Sequence, residues 1–206
     1  MNAETTQTEP MHTPRSQRVI WNIPNAITMS RLLLSLVLFL LIDLEGFWIT
    51  AAVLFVFAAS TDFLDGYIAR KYGMVTILGR IMDPFVDKII VCGSFLFLLG
   101  VTKDSGVNAW MALVVIGREM FISSLRGFLE KQGQDFSAAW SGKVKMTLQS
   151  VAVTFSLLSL SPHYFFRDAW FIICRDILLW SAVIITIYSG MEYIVRAARF
   201  WTTSDK

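Results

Sequence analysis

The sequence predicts an all-α integral membrane protein with six transmembrane helices, and three observations carry that expectation. Of its 206 residues, 55% are hydrophobic and only 17% charged, with a mean hydropathy of +0.56. Soluble domains carry about a quarter charged residues and under half apolar ones. Apolar runs recur six times, most of them near the roughly 20 residues that a helix needs to cross the hydrocarbon. Basic residues, finally, collect on one side of those runs.

Residues 1–18 are polar, contain Glu4, Glu9, Arg15 and Arg18, and have no apolar core of the kind a cleavable signal needs. They read as a mobile tail. Residues 19–27 mix Ile20, Trp21 and Ile23 with Asn22, Pro24 and Asn25, which predicts an interfacial segment with Trp21 at headgroup depth. The six spans are expected at 28–43, 47–70, 77–101, 107–130, 141–160 and 169–199, within one catalytic domain over 28–201. Gly46, Gly73, the Lys103–Gly106 stretch, Gln132-Gly133-Gln134 and Ser161-Pro162-His163 separate them. No internal repeat is evident.

With the N-terminus in the cytoplasm, fifteen Lys and Arg fall on that side, and only Lys103, Arg167 and Arg175 on the other. This positive-inside bias predicts both termini in the cytoplasm. A net charge of +2 gives no basic face for nucleic acid. Cys92 and Cys174 lie within apolar runs and form neither a disulfide framework nor a zinc spacing. His12 lies in the tail and His163 on the far side, so neither is expected to take part in chemistry.

The exceptional charges are Asp62, Asp65, Asp83 and Asp87, set in or against apolar sequence where the second and third helices meet. A carboxylate in a membrane helix is costly and normally faces protein, water or a counter-charge. On a helical projection, Asp62, Asp65, Gly66, Ala69 and Arg70 fall within about 140° of one face. Gly79, Asp83 and Asp87 fall within about 80° on the next helix. The two helices run antiparallel across a short connection, so the acidic faces are expected to meet. Several aspartates suit a hard cation such as Mg2+, Mn2+ or Ca2+. The small residues leave room for a ligand, and Arg70 offers a fork to a phosphate. A single such aspartate is more often a solvated cap, Gly66 and Gly79 alone suit helix packing, and a cation transporter also carries intramembrane carboxylates. Four aspartates with interleaved small residues and an arginine fit a phosphate-binding coordination site better.

Residues 62 to 87 read Asp-x2-Asp-Gly-x2-Ala-Arg-x8-Gly-x3-Asp-x3-Asp. This resembles the signature of the CDP-alcohol phosphatidyltransferases at all eight of its specified positions. The resemblance implies a six-helix membrane enzyme, commonly a homodimer, in the bacterial inner membrane. Asp62, Asp65 and Asp83 would bind two divalent ions, Mg2+ or Mn2+, with Asp87 as general base and further ligand. Gly66, Ala69 and Gly79 would line the cytidine pocket and Arg70 would contact the diphosphate of CDP-diacylglycerol. An acceptor hydroxyl would attack in line at the phosphorus next to the diacylglycerol, and CMP would leave.

The acceptor is read from looser motifs. Asn22-Ile-Pro-Asn25 with Thr28 and Arg31, Arg118-Glu119 with Arg126, and Gly142-Lys143-x-Lys145 with Gln149 resemble bacterial members that use glycerol 3-phosphate. Met146-Thr147 departs from their commoner order. Arg118, Arg126, Lys143 and Lys145 suit an acceptor that carries its own phosphate. Lys143 and Lys145 also satisfy the positive-inside rule or attract anionic lipid, and Arg126 is in register for an ion pair with Glu119. The other acceptors, phosphatidylglycerol, inositol phosphate or serine, and a transporter or scaffold without activity, stay open at this point. Asp176 and Glu192 receive no role.

Overall fold

The computed structural model describes residues 23–72, 77–102, 104–131 and 140–204, side chains excepted at 23–24, 62–81, 130–131 and 200–204. The described residues form six long helices and one short one, in order: α1 Ile23–Asp43, α2 Trp48–Tyr72, α3 Ile77–Gly100, α4 Ala109–Lys131, α5 Trp140–Ser159, α6 Tyr164–Arg167 and α7 Ala169–Ser204. The long helices match the expected spans closely, except where α1 starts five residues early and α7 ends five late. The early start draws residues 23–27, expected in the interfacial segment, into the first helix. Pro24 is tolerated there because the first-turn N–H groups have no intrahelical acceptor. The tail and residues 19–22 lie outside the described residues.

The short α6 is an addition, since Ser161-Pro162-His163 reads simply as a breaker. Its Phe165 and Phe166 join Trp170 and Phe171 of α7 in an aromatic cluster with centroid separations of 5.2 to 6.3 Å. Ring packing of Phe165 and Phe166 thereby holds this short helix against α7.

The bundle is apolar on its outside as well as in its core, and it buries several polar side chains. Leu33, Leu36, Leu40, Val53, Phe57, Leu113, Ile173, Ile177 and Ile184 are exposed on its perimeter, whereas Thr28, Arg31, Ser35, Ser94, Glu119, Lys145, Gln149, Thr186 and Ser189 are buried. An apolar girdle this broad is not a soluble surface. A bilayer covers such a girdle, while the interior satisfies polar groups protein to protein. The chain is a membrane protein. Among the described residues, two helical stretches, Asn25–Asp43 and Ala169–Arg199, are apolar enough over 19 and 31 residues to cross a bilayer by themselves, and Trp48–Thr61 is a shorter apolar stretch.

Helix α1 packs on both α2 and α3, α5 packs most extensively on α7, and α4 also lies along α7. Small residues allow this: Ala51, Ala52, Ala58, Ala152 and Ala182 are buried in the core. At Gly93 of α3 a Cβ would overlap the Phe39 ring of α1, so glycine sets how closely those helices approach. At the end far from the acidic turn, Arg175 donates to the Asp104 carbonyl at 2.9 Å and pairs with Asp176 at 2.8 Å. Gly106 (φ +76°) lies against it, where a Cβ would come within 2.6 Å of Arg175 Nε. Asp176 thus has a structural partner in a tie between the α3–α4 loop and α7.

Candidate active site

Asp83 and Asp87 sit one turn apart on α3, both partly buried. Each receives a donor from the start of α1. Thr28 Oγ1 donates to Asp83 Oδ1 at 2.5 Å, and Arg31 Nη2 pairs with Asp87 Oδ1 at 2.5 Å. Arg31 is 1% exposed, and its Nε reaches the Ala58 carbonyl of α2 at 3.3 Å. The first helix therefore bridges the two acidic helices and holds the α3 carboxylates in place. Thr28 and Arg31 carry a three-residue spacing that marks one helix face, a signal present in the sequence but without an assigned partner until the fold is known.

Asp62, Asp65, Gly66, Ala69 and Arg70 occupy the last three turns of α2, and Gly79 the first turn of α3. Their side chains lie outside the described residues. Among the described residues no three His, Cys, Asp or Glu side chains gather around one point. The donor chemistry nonetheless fits a hard divalent cation: Asp83 and Asp87 present carboxylate oxygens, the ligand type such an ion takes.

Next to Asp87 opens a cavity of about 240 Å3. Lys88 lines it from α3, Arg118, Glu119, Ser123 and Arg126 from α4, Lys143, Lys145 and Gln149 from α5, and Tyr193 from α7. All four cations singled out in the sequence, on two helices, therefore share a wall with the last aspartate of the signature. Arg118 is held firmly. Its Nη1 reaches Glu119 Oε1 at 3.1 Å, its Nη2 donates to Ser189 Oγ at 2.7 Å, and its guanidinium lies 5.7 Å from the Tyr193 ring centroid. Its buried Nε has no hydrogen-bond partner among the described residues. Glu119, in register with Arg126, instead pairs with Arg118 and with Lys145. The reason is burial: Lys145 is 3% exposed, and a buried ammonium needs a counter-charge beside it.

Helix α7 contributes residues that sequence reasoning missed. Ser189 holds Arg118, and Glu192, whose role was open, accepts from Ser141 Oγ at 2.5 Å and pairs with Arg196. Thr186 accepts from Gln149 Nε2 at 2.8 Å. Thr186, Ser189, Tyr193 and Arg196 recur every three or four residues, a polar stripe through an apolar helix. That stripe was a legible signal that α7 faces the site.

A second, mainly apolar cleft of about 960 Å3 lies between α1, α3 and α4, where Phe39, Phe85, Ile89, Leu96, Phe97 and Ile116 line it. It shares Pro84, Lys88, Glu119 and Ser123 with the polar cavity. One side of the site is thus charged and the adjoining side is lipid-like.

A helical membrane bundle with an aspartate signature beside a cationic cavity defines a class of phosphate-handling membrane enzymes. The chain belongs to the CDP-alcohol phosphatidyltransferases, whose family profile matches residues 21–188. It is 35% identical over 201 residues to the Bacillus subtilis (strain 168) protein named CDP-diacylglycerol--glycerol-3-phosphate 3-phosphatidyltransferase, covering 90% of this chain and 100% of that one. Proteins of the same name from Rickettsia felis and Pseudomonas fluorescens are 33% and 34% identical. The matches cover 89% and 86% of this chain, and 99% and 90% of those proteins. The family is generally dependent on divalent metal.

Proposed function

We propose that this enzyme transfers the phosphatidyl group of CDP-diacylglycerol to glycerol 3-phosphate, giving phosphatidylglycerophosphate and CMP. The carrying observation is the cavity in which Asp87 and Arg118, Arg126, Lys143 and Lys145 line one space. A hydroxyl acceptor bearing a phosphate needs both features within one molecule's length: a proton acceptor at the hydroxyl and cations at the phosphate. Serine has no phosphate to place there. The names of the relatives over nearly the full chain support the same acceptor.

Phosphoryl transfer depends on positioning and charge neutralisation more than on covalent help. In this reading the four cations hold the acceptor's phosphate, and Asp87, oriented by Arg31, takes the proton of its attacking hydroxyl. The hydroxyl oxygen bonds to the phosphorus next to the diacylglycerol, and the bond from that phosphorus to the oxygen of CMP breaks. Asp62, Asp65 and Asp83, with Asp87 as a further ligand, would hold a pair of divalent ions, Mg2+ or Mn2+. The chemistry those ions supply is neutralisation of the diphosphate and of the departing CMP. Gly66, Ala69 and Gly79 would leave space for the cytidine, and Arg70 would meet the diphosphate, as the family signature implies. The apolar cleft suits the acyl chains of the donor, since it adjoins the polar cavity.

The same reading puts all six long helices across the inner membrane of the cell, with the site and both termini on the cytoplasmic side. A homodimer follows from the family resemblance. The deciding experiment gives purified protein CDP-diacylglycerol, Mg2+ and a panel of glycerol 3-phosphate, phosphatidylglycerol, inositol phosphate and serine. CMP release with glycerol 3-phosphate alone, lost on chelation and restored by Mg2+ or Mn2+, is expected. Release only with another acceptor overturns the assignment.

A further inference from the structure

The wall of the polar cavity contains one group that looks misplaced for an anion site. Glu119 is 8% exposed and lines the cavity among the cations. A carboxylate there repels an incoming phosphate, so it is disadvantageous unless it does something for the cations that outweighs the repulsion. Its contacts say what that is. A single oxygen, Oε1, accepts from Lys145 Nζ on α5 and from Arg118 Nη1 on α4, the latter at 3.1 Å. Arg118 is fixed on its other arm by Ser189 Oγ at 2.7 Å, and Lys145 is 3% exposed. Glu119 is therefore the joint that sets the separation of one cation from each helix. Without it, two like charges in a largely desolvated wall drive each other apart.

We propose that Glu119 is a positioning residue for the acceptor's phosphate: it holds Arg118 and Lys145 as one preorganised pair, so that a phosphate monoester meets both at once. The inference rests on the acceptor reading above and deepens it. Two effects of removing the charge oppose each other. Loss of repulsion would tighten phosphate binding, whereas loss of the joint lets Lys145 swing away and weakens it. Positioning wins here, because the repulsion is already outnumbered by the cations around the cavity while the joint has no substitute among the described contacts of Lys145.

The test is steady-state kinetics of the full-length enzyme and its Glu119→Gln variant, varying each substrate in turn. Loss of a charge-assisted hydrogen bond predicts a KM for glycerol 3-phosphate about tenfold higher. The kcat and the KM for CDP-diacylglycerol stay within about twofold, since neither depends on this pair. Glu119→Asp keeps the charge one methylene shorter and recovers most of the loss. An unchanged or lowered KM for glycerol 3-phosphate overturns the proposal, as does an equal loss in all three parameters. If Glu119→Gln does not fold, Glu119→Asp decides: a KM for glycerol 3-phosphate about threefold higher supports the joint, and an unchanged one overturns it. Failure of the acceptor reading itself appears separately, as wild-type enzyme that releases CMP only with a different acceptor.

Discussion

Asp87 and Arg31 form the pair on which the proposed chemistry turns. Arg31 is almost fully buried and reaches Asp87 from a different helix, at 2.5 Å. A carboxylate oriented this way keeps one direction for its proton-accepting oxygen instead of several. Replacing it by an isosteric amide, Asp87→Asn, removes the base and leaves the shape of the site. General base catalysis contributes about 10²–10⁴-fold, so turnover is expected to fall at least that far while CDP-diacylglycerol still binds. CMP release set against binding of labelled CDP-diacylglycerol measures both, and near-normal turnover would rule out the role. Arg118 belongs to the other half of the site. Its Arg118→Ala variant is expected to raise the KM for glycerol 3-phosphate by about tenfold or more, as for a lost charged hydrogen-bond donor. An effect confined to the CDP-lipid would mean that the cavity serves the donor instead.

Among the helices, the start of α1 has the most unexpected part. The acidic faces of α2 and α3 are expected from the sequence to meet, and α1 packs against both of these helices and sends Thr28 and Arg31 to the α3 aspartates. The close approach of α1 to α3 depends on Gly93, where any side chain would overlap Phe39. Gly93→Val forces these helices apart. Overpacking of this kind costs about 1–3 kcal/mol. Lowered thermal stability of the detergent-solubilised enzyme, with turnover falling as Asp87 loses its partner, is the expected result. Unchanged stability and turnover would show that α1 does not set the position of Asp87. The stripe of polar residues on α7 is the complementary device, since it fixes Arg118 from behind through Ser189 and Tyr193.

For the molecule as a whole, an apolar perimeter around buried polar groups places the enzyme in a bilayer, and the positive-inside bias of the basic residues underlies the proposed orientation. The tie of Asp104 to Arg175 lies at the far end of α3 from Asp87, about 20 Å away along a helix rising 1.5 Å per residue. In the proposed orientation a cysteine introduced by Lys206→Cys reacts with a membrane-impermeant thiol reagent only after the membrane is opened. One introduced by Asp104→Cys reacts in intact cells stripped of their outer layers. The reverse pattern would invert the topology and put the aspartates on the wrong side for a water-soluble cytoplasmic acceptor.

Helix positions, membrane character and the aspartate signature were legible in the amino-acid order, because each is a local property. A backbone in hydrocarbon must satisfy its own hydrogen bonds, so an apolar run of sufficient length becomes a helix whatever its neighbours are. The spacing of the carboxylates likewise follows from helical geometry alone. Partnerships were not legible. Nothing along the chain says that Arg31 meets Asp87 across 56 positions, or that Glu119 takes Lys145 of α5 in place of Arg126, its neighbour by register. Those choices arise where the packing of α1, α4, α5 and α7 decides which charges are buried together, and a buried charge takes whichever counter-charge the fold brings within reach.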